Sequence, residues 1–130
     1  MSTPVWNALV RTHHITSRKK VTKLRAAASN YAVFVLLRSG GCPGIMYCEG
    51  HESGVKDWVS IVQGLRYKDF QLVQKVAPLH IDGRDKGVKE QQTEYGKLQE
   101  VGSVKEFGAR MEELGVWEWW RKGMGYVHQD

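Results

Sequence analysis

The stretch YAVFVLLRSGGCPGIMYCEG, residues 31–50, decides the fold. Its first eight residues are a near-continuous apolar run, the composition of a well-buried strand. SGGCPG (39–44) is a turn cluster in which Gly-Gly and Pro-Gly interrupt regular structure. IMYCEG (45–50) resumes as a short strand ending at a glycine. Together they predict a hairpin with a long loop.

Upstream, VWNALVRTHHI (5–15) mixes β-branched and aromatic residues and reads as a strand. One face would carry Trp6, Ala8, Val10, Thr12 and His14; the other would carry Val5, Asn7, Leu9, Arg11 and His13. Thr16 or Ser17 then caps a helix over 17–29. Val21, Leu24 and Ala28 line one side of it, and Arg18, Lys19, Lys23 and Arg25 occupy much of the rest. Downstream, Ser53 can cap a helix in which Val55, Trp58, Val59, Val62 and Leu65 recur at helical spacing. KDFQLVQKV (68–76) alternates as a half-buried strand.

The order β-α-β-β-α-β is that of the split βαβ, or ferredoxin-like, pattern. The expected class is therefore α+β: a four-stranded antiparallel sheet over 5–76, with both helices on one face and the other face open unless covered. Residues 77–102 are expected to form a polar loop, since 82–102 is charged and contains several glycines. A C-terminal helical extension follows over 103–127. SVKE (103–106) has capping-box spacing, Val104, Phe107, Met111 and Leu114 form a stripe, and Gly115 is a stop. VWEWWRKGMGYV (116–127) brings Trp117, Trp119 and Trp120 together. Packing on the domain accounts for them more simply than base stacking, because a helix must bury such area somewhere.

At 130 residues the chain is one domain, 1–130, without internal repeats. Cys42 and Cys48 make no disulfide framework. No apolar run approaches the roughly 18 residues of a membrane helix, and MSTPVWNALVR lacks the apolar core of a signal peptide. The expectation is an intracellular protein of nucleus or cytoplasm, with no membrane partner. Charge is unevenly spread. Residues 1–48 contain seven Lys/Arg and no acid, so they carry +7; residues 49–130 carry −2, and the chain +5. That asymmetry points to an anionic partner for the N-terminal half, against the plainer reading of a solvated helix surface.

RTHHITSRKK (11–20) holds the chemistry to be weighed. His14-Ile15-Thr16 and His51-Glu52-Ser53 fit the paired HxT/S motifs of two-histidine phosphoesterases, in which imidazoles serve as acid and base. That use requires both histidines in one cleft. Cys42, Cys48 and His51 could be read as metal donors, but their spacing lacks the tight pairs of zinc sites. No metal and no cofactor is expected. Phosphate binding is the third reading. Arg11, Arg18, Lys19, Lys20 and Lys23 run through a strand end and the first turns of a helix. Backbone N–H groups there already favour anions, whereas side-chain cations there oppose the helix dipole, so helix stability does not explain them. His13 or His14 could hydrogen-bond to or stack on a base. Adjacent strand residues face opposite sides, which would leave one of them at the ligand.

THHI-x-S-x-KK, then PGIMYCEG, then GLRYKDFQLV, resembles a C-terminal domain shared by the pre-mRNA-processing subunit of the spliceosomal U4/U6 particle and certain RWD-domain-containing proteins. The matching positions are His13, His14, Ile15, Lys19, Lys20, Pro43, Gly44, Glu49, Gly50, Leu65, Tyr67 and Lys68, and LGVWEWWRKGMG (114–125) is similar to the family's closing segment. The resemblance runs from about residue 8 to 126. It implies a ferredoxin-like core and, for the spliceosomal member, binding where an RNA duplex meets a single strand. The long N-terminal region of that protein and the RWD domain of the other group have no counterpart in this chain. The expected function is thus a non-enzymatic RNA-binding module. Its RNA is a duplex with a single-stranded overhang, its phosphate contacts are Arg11, Arg18, Lys19, Lys20, Lys23 and Arg38, and His13 or His14 touches a base or sugar. The competing class is a protein–protein interaction module centred on exposed tryptophans.

Overall fold

In a computed structural model, the structure describes residues 4–82 and 93–126. The chain runs through β1 (Trp6–Thr12), α1 (Arg18–Asn30), β2 (Phe34–Arg38), β3 (Gly44–Gly50), α2 (Glu52–Gly64), β4 (Gln71–Pro78), β5 (Leu98–Val101), α3 (Val104–Glu113) and α4 (Trp117–Met124). The strands form one sheet in the order β4-β1-β3-β2-β5. β1, β3, β2 and β4 pair antiparallel, whereas β5 lies parallel to β2, with Val35 opposite Leu98 and Arg38 opposite Val101. The class is α+β as expected. The expected four-stranded antiparallel sheet is a five-stranded mixed one.

Alternation explains the two layers. Val35, Leu37, Met46 and Cys48 point to one face, where Val21, Leu24, Val55, Trp58 and Val62 of α1 and α2 cover them. Leu9, Phe34, Leu36, Ile45 and Tyr47 point to the other, where Phe107, Met111, Trp120 and Met124 of α3 and α4 cover them. All seven residues of β3 are buried. A central strand covered on both sides has no use for a polar face, hence the unbroken apolar runs of 31–50.

Element ends differ from expectation for local reasons. β1 stops at Thr12, so His13 and His14 lie beyond the strand. β2 starts only at Phe34, because Tyr31 and Ala32 form a turn in which Ala32 is left-handed, φ 54°. The expected polar loop over 77–102 contains the end of β4 and all of β5; its residues 83–92 lie outside the described part. Ser17 caps α1 by accepting from the Lys20 N–H at 3.2 Å, and Ser103 caps α3 from Glu106 N–H at 3.0 Å. α2 starts one residue before Ser53, with His51 at its cap.

Candidate nucleic-acid interface

The register brings distant parts of RTHHITSRKK's surroundings to one end of the sheet. Thr12 faces Gly44, Arg38 faces Ile45 and Arg11 faces Gln71. The end of β1, the start of α1, the 39–43 turn and the start of β4 therefore meet there. Ile15 is fully buried and pins the histidine segment from below. The His13 N–H donates to the Lys68 carbonyl at 2.9 Å, and the Gly40 N–H donates to the Ile15 carbonyl at 2.9 Å. The Thr12 hydroxyl donates to the His14 carbonyl at 3.3 Å. Gly44 lets these strands approach: a Cβ there would run into buried Thr12 Oγ1 and come within 3.0 Å of the His14 carbonyl carbon.

An open cleft of about 680 Å³ results, lined by Arg11, Thr12, His13, Cys42, Pro43, Asp69, Phe70 and Gln71. Both histidines are exposed, with ring centroids 4.8 Å apart. They are not split between two faces, since the strand ends before them. His13 Nδ1 lies 3.7 Å from an Asp69 carboxylate oxygen, and Nε2 lies 3.9 Å from Cys42 Sγ. Arg11 donates to the Gln71 side-chain oxygen at 2.8 Å, which leaves its other nitrogens for a ligand.

The other cations divide. Lys19 is exposed in the first turn of α1, and that turn carries no acid. Lys20, also in the first turn, is half-buried and sets its ammonium over the Tyr67 ring, 4.7 Å from the centroid. Lys23 sits a turn further on, beside an apolar groove of about 440 Å³ between α1 and α2. Arg18 grips Glu100 through two bonds of 2.8 Å. Glu100 also accepts from Ser39 at 2.8 Å and pairs with Arg25 at 3.3 Å. The Arg18 guanidinium holds the Glu100 carboxyl down at about 2, while the carboxylate raises the pKa of Arg18. Arg38 braces the turn by donating to the Pro43 carbonyl at 3.2 Å, and its buried Nε has no hydrogen-bond partner. Arg18 and Arg38 thus have structural duties that the sequence did not reveal, because their partners lie in β5 and in the turn.

Other groupings that the sequence raises as alternatives fall apart in space. Trp6 pairs with Gly50 and Thr12 with Gly44, so His51 and His14 sit at opposite ends of the sheet, about 20 Å of strand apart. The two HxT/S motifs share no cleft. Cys48 is buried under the helices while Cys42 and His51 lie at opposite ends, so these three donors do not converge. Trp120 is buried over the sheet with Phe107 at 6.0 Å, and Trp119 meets Tyr47 edge-on at 5.7 Å. Trp117 is half-buried beneath Arg121. Asp69, Phe70 and Gln71 also line the cleft, and nothing local in the sequence marks them; the strand order alone sets 68–71 beside 11–13. Among the described residues no helix is long and apolar enough to cross a membrane. No family model matches the chain, and neither does any curated protein.

Proposed function

We propose that the protein is a non-enzymatic RNA-binding module built on a ferredoxin-like core. The observation that carries this reading is the gathering of Arg11, His13, His14, Lys19 and Lys20 at one end of the sheet beside an open cleft. Arg11 and the two lysines offer phosphate contacts; Phe70 and the imidazoles offer planes on which an unpaired base stacks. The antiparallel order β4-β1-β3-β2 with α1 and α2 on one face suits a ferredoxin-like core, with β5 and the second helical layer as additions. The resemblance to the U4/U6-associated domain supports an RNA duplex with a single-stranded overhang as ligand. Lys23 extends the basic strip along α1. Arg18 and Arg38 have first call on Glu100 and Pro43, so they shape the surface more than they bind.

The test is a fluorescence-anisotropy titration with a single strand, a duplex and a duplex bearing a 3′ overhang, across a range of salt. The overhang duplex is expected to bind most tightly, with an affinity that falls steeply as salt rises. Lys19→Glu/Lys20→Glu should abolish binding, and Lys19→Gln/Lys20→Gln should flatten the log–log salt slope by about 1.5–2. Folded wild type that binds none of the three RNAs at low salt overturns the reading. That result would turn attention to the protein-interaction class, for which the apolar groove lined by Ala26, Ala27, Tyr31, Ile61 and Leu65 is the favouring feature.

A further inference from the structure

The cleft also contains a line of three groups, of which the RNA reading uses His13 alone. Cys42 Sγ lies 3.9 Å from His13 Nε2, and His13 Nδ1 lies 3.7 Å from Asp69 Oδ2. The sulfur is exposed in the turn, whereas Cys48 is sealed in the core. The three come from the end of β1, the β2–β3 turn and the approach to β4, so the fold and not local sequence aligns them. Asp69 holds a left-handed backbone, φ 57°, a conformation that a carboxylate or amide side chain tolerates better than most. The order thiol–imidazole–carboxylate is that of an activated nucleophile: one imidazole nitrogen faces the thiol and the other faces the acid.

We propose that Cys42 is a His13-assisted nucleophilic thiol that exchanges with anionic low-mass disulfides in this cleft. Asp69 acts through His13 and is a positioning residue. The size suits such a guest, since about 680 Å³ is within the usual range of small-molecule pockets. Charge selects the anion: Arg11 lines the cleft and Arg38 braces the turn that carries Cys42. The acid in the lining, Asp69, is turned to His13, with Lys68 next to it in the chain. In the step, the thiol proton passes to His13 Nε2 and the sulfur attacks one sulfur of R–S–S–R. The Cys42–S–S–R bond forms as the S–S bond of the reagent breaks. The departing RS⁻ takes the proton from His13, so the products are a mixed disulfide and one thiol, with no external oxidant.

The experiment follows mixed-disulfide formation by intact mass on the full chain without RNA, so its outcome is independent of the RNA reading. The probes are glutathione disulfide and uncharged hydroxyethyl disulfide. Wild type is expected to be modified at Cys42 and not at Cys48, with no product in Cys42→Ser. His13→Ala should slow the reaction about tenfold near neutral pH, and the difference should close near pH 10, where exposed thiols ionise unaided. Asp69→Asn, which keeps the left-handed backbone accessible, should show a smaller loss with the same convergence. Arg11→Gln should slow glutathione disulfide and spare hydroxyethyl disulfide. Equal rates for wild type and His13→Ala at neutral pH overturn the proposal. So does a loss that persists unchanged at high pH, which would mark a merely structural effect.

Discussion

Two glutamates act on stability in opposite directions as pH changes. Glu100 is held at about 2 by Arg18 first, then by Ser39 and Arg25. Its folded pKa lies below the ordinary 4.5, so its stabilisation is present at neutral pH and is lost as pH falls from about 4.5 towards 2. Glu49 is the reverse. It is buried on β3, and burial raises its pKa although the hydroxyls of Tyr47 at 2.7 Å and Tyr95 at 3.1 Å donate to it. Its ionised form therefore costs stability, and that cost is relieved as pH falls. Urea unfolding from neutral to acid pH checks both signs. Glu100→Gln should lose roughly 1 kcal/mol at neutral pH, well short of the full shift because solvent screens the exposed guanidinium side, and its deficit should shrink towards pH 2. Glu49→Gln should compare best with wild type at neutral pH and worse as the wild-type carboxyl takes its proton.

Among elements, the β1–β3 approach matters most to the site. Gly44→Ala forces a methyl into the buried Thr12 hydroxyl and Ile15 side chain and up against the His14 backbone, so something must shift. The expected cost is about 1–3 kcal/mol, as for overpacking elsewhere. Hydrogen exchange should show it as lost protection at the His13 N–H, whose acceptor is Lys68. The same scale explains what was legible in the sequence. The element order from β1 to β4 follows from periodicity, and the split of β1 into Ala8 and Val10 against Leu9 matches its two cores. β5 was not legible: it is four residues, LQEV, with only Leu98 buried, set in a polar stretch. It is a strand because β2 offers it a partner, and four residues of weak alternation cannot announce that. In the site, the basic run was legible as charge. That Arg18 belongs to Glu100 was not, since the two are 82 residues apart. Nor was the grouping of Cys42, His13 and Asp69, which exists only once three strand ends share one edge of the sheet.

For the whole molecule, α3 and α4 are what make a two-sided sheet tenable. Without them Leu9, Phe34, Leu36, Ile45 and Tyr47 would face water together, an apolar patch too large for a monomer to leave open. A chain ending after Gly102 should therefore aggregate, while Lys19→Glu/Lys20→Glu, which leaves both apolar layers in place, should elute as wild type does in size-exclusion chromatography. The tryptophans belong to the same ledger. Trp120 and Trp119 are spent on the sheet, so the cost of removing them falls on folding before it falls on any partner.

β5 carries a kinetic consequence. It reaches β2 from 60 residues and more further along the chain, and it does so in parallel, a pairing that closes late because a long loop must be ordered first. Until it docks, FVLLR is an unguarded strand edge with no charge before Arg38. Such an edge pairs as readily with another molecule as with its own chain. Refolding yield should consequently depend on protein concentration as well as on denaturant, since LQEV covers that edge only once the rest of the sheet is in place.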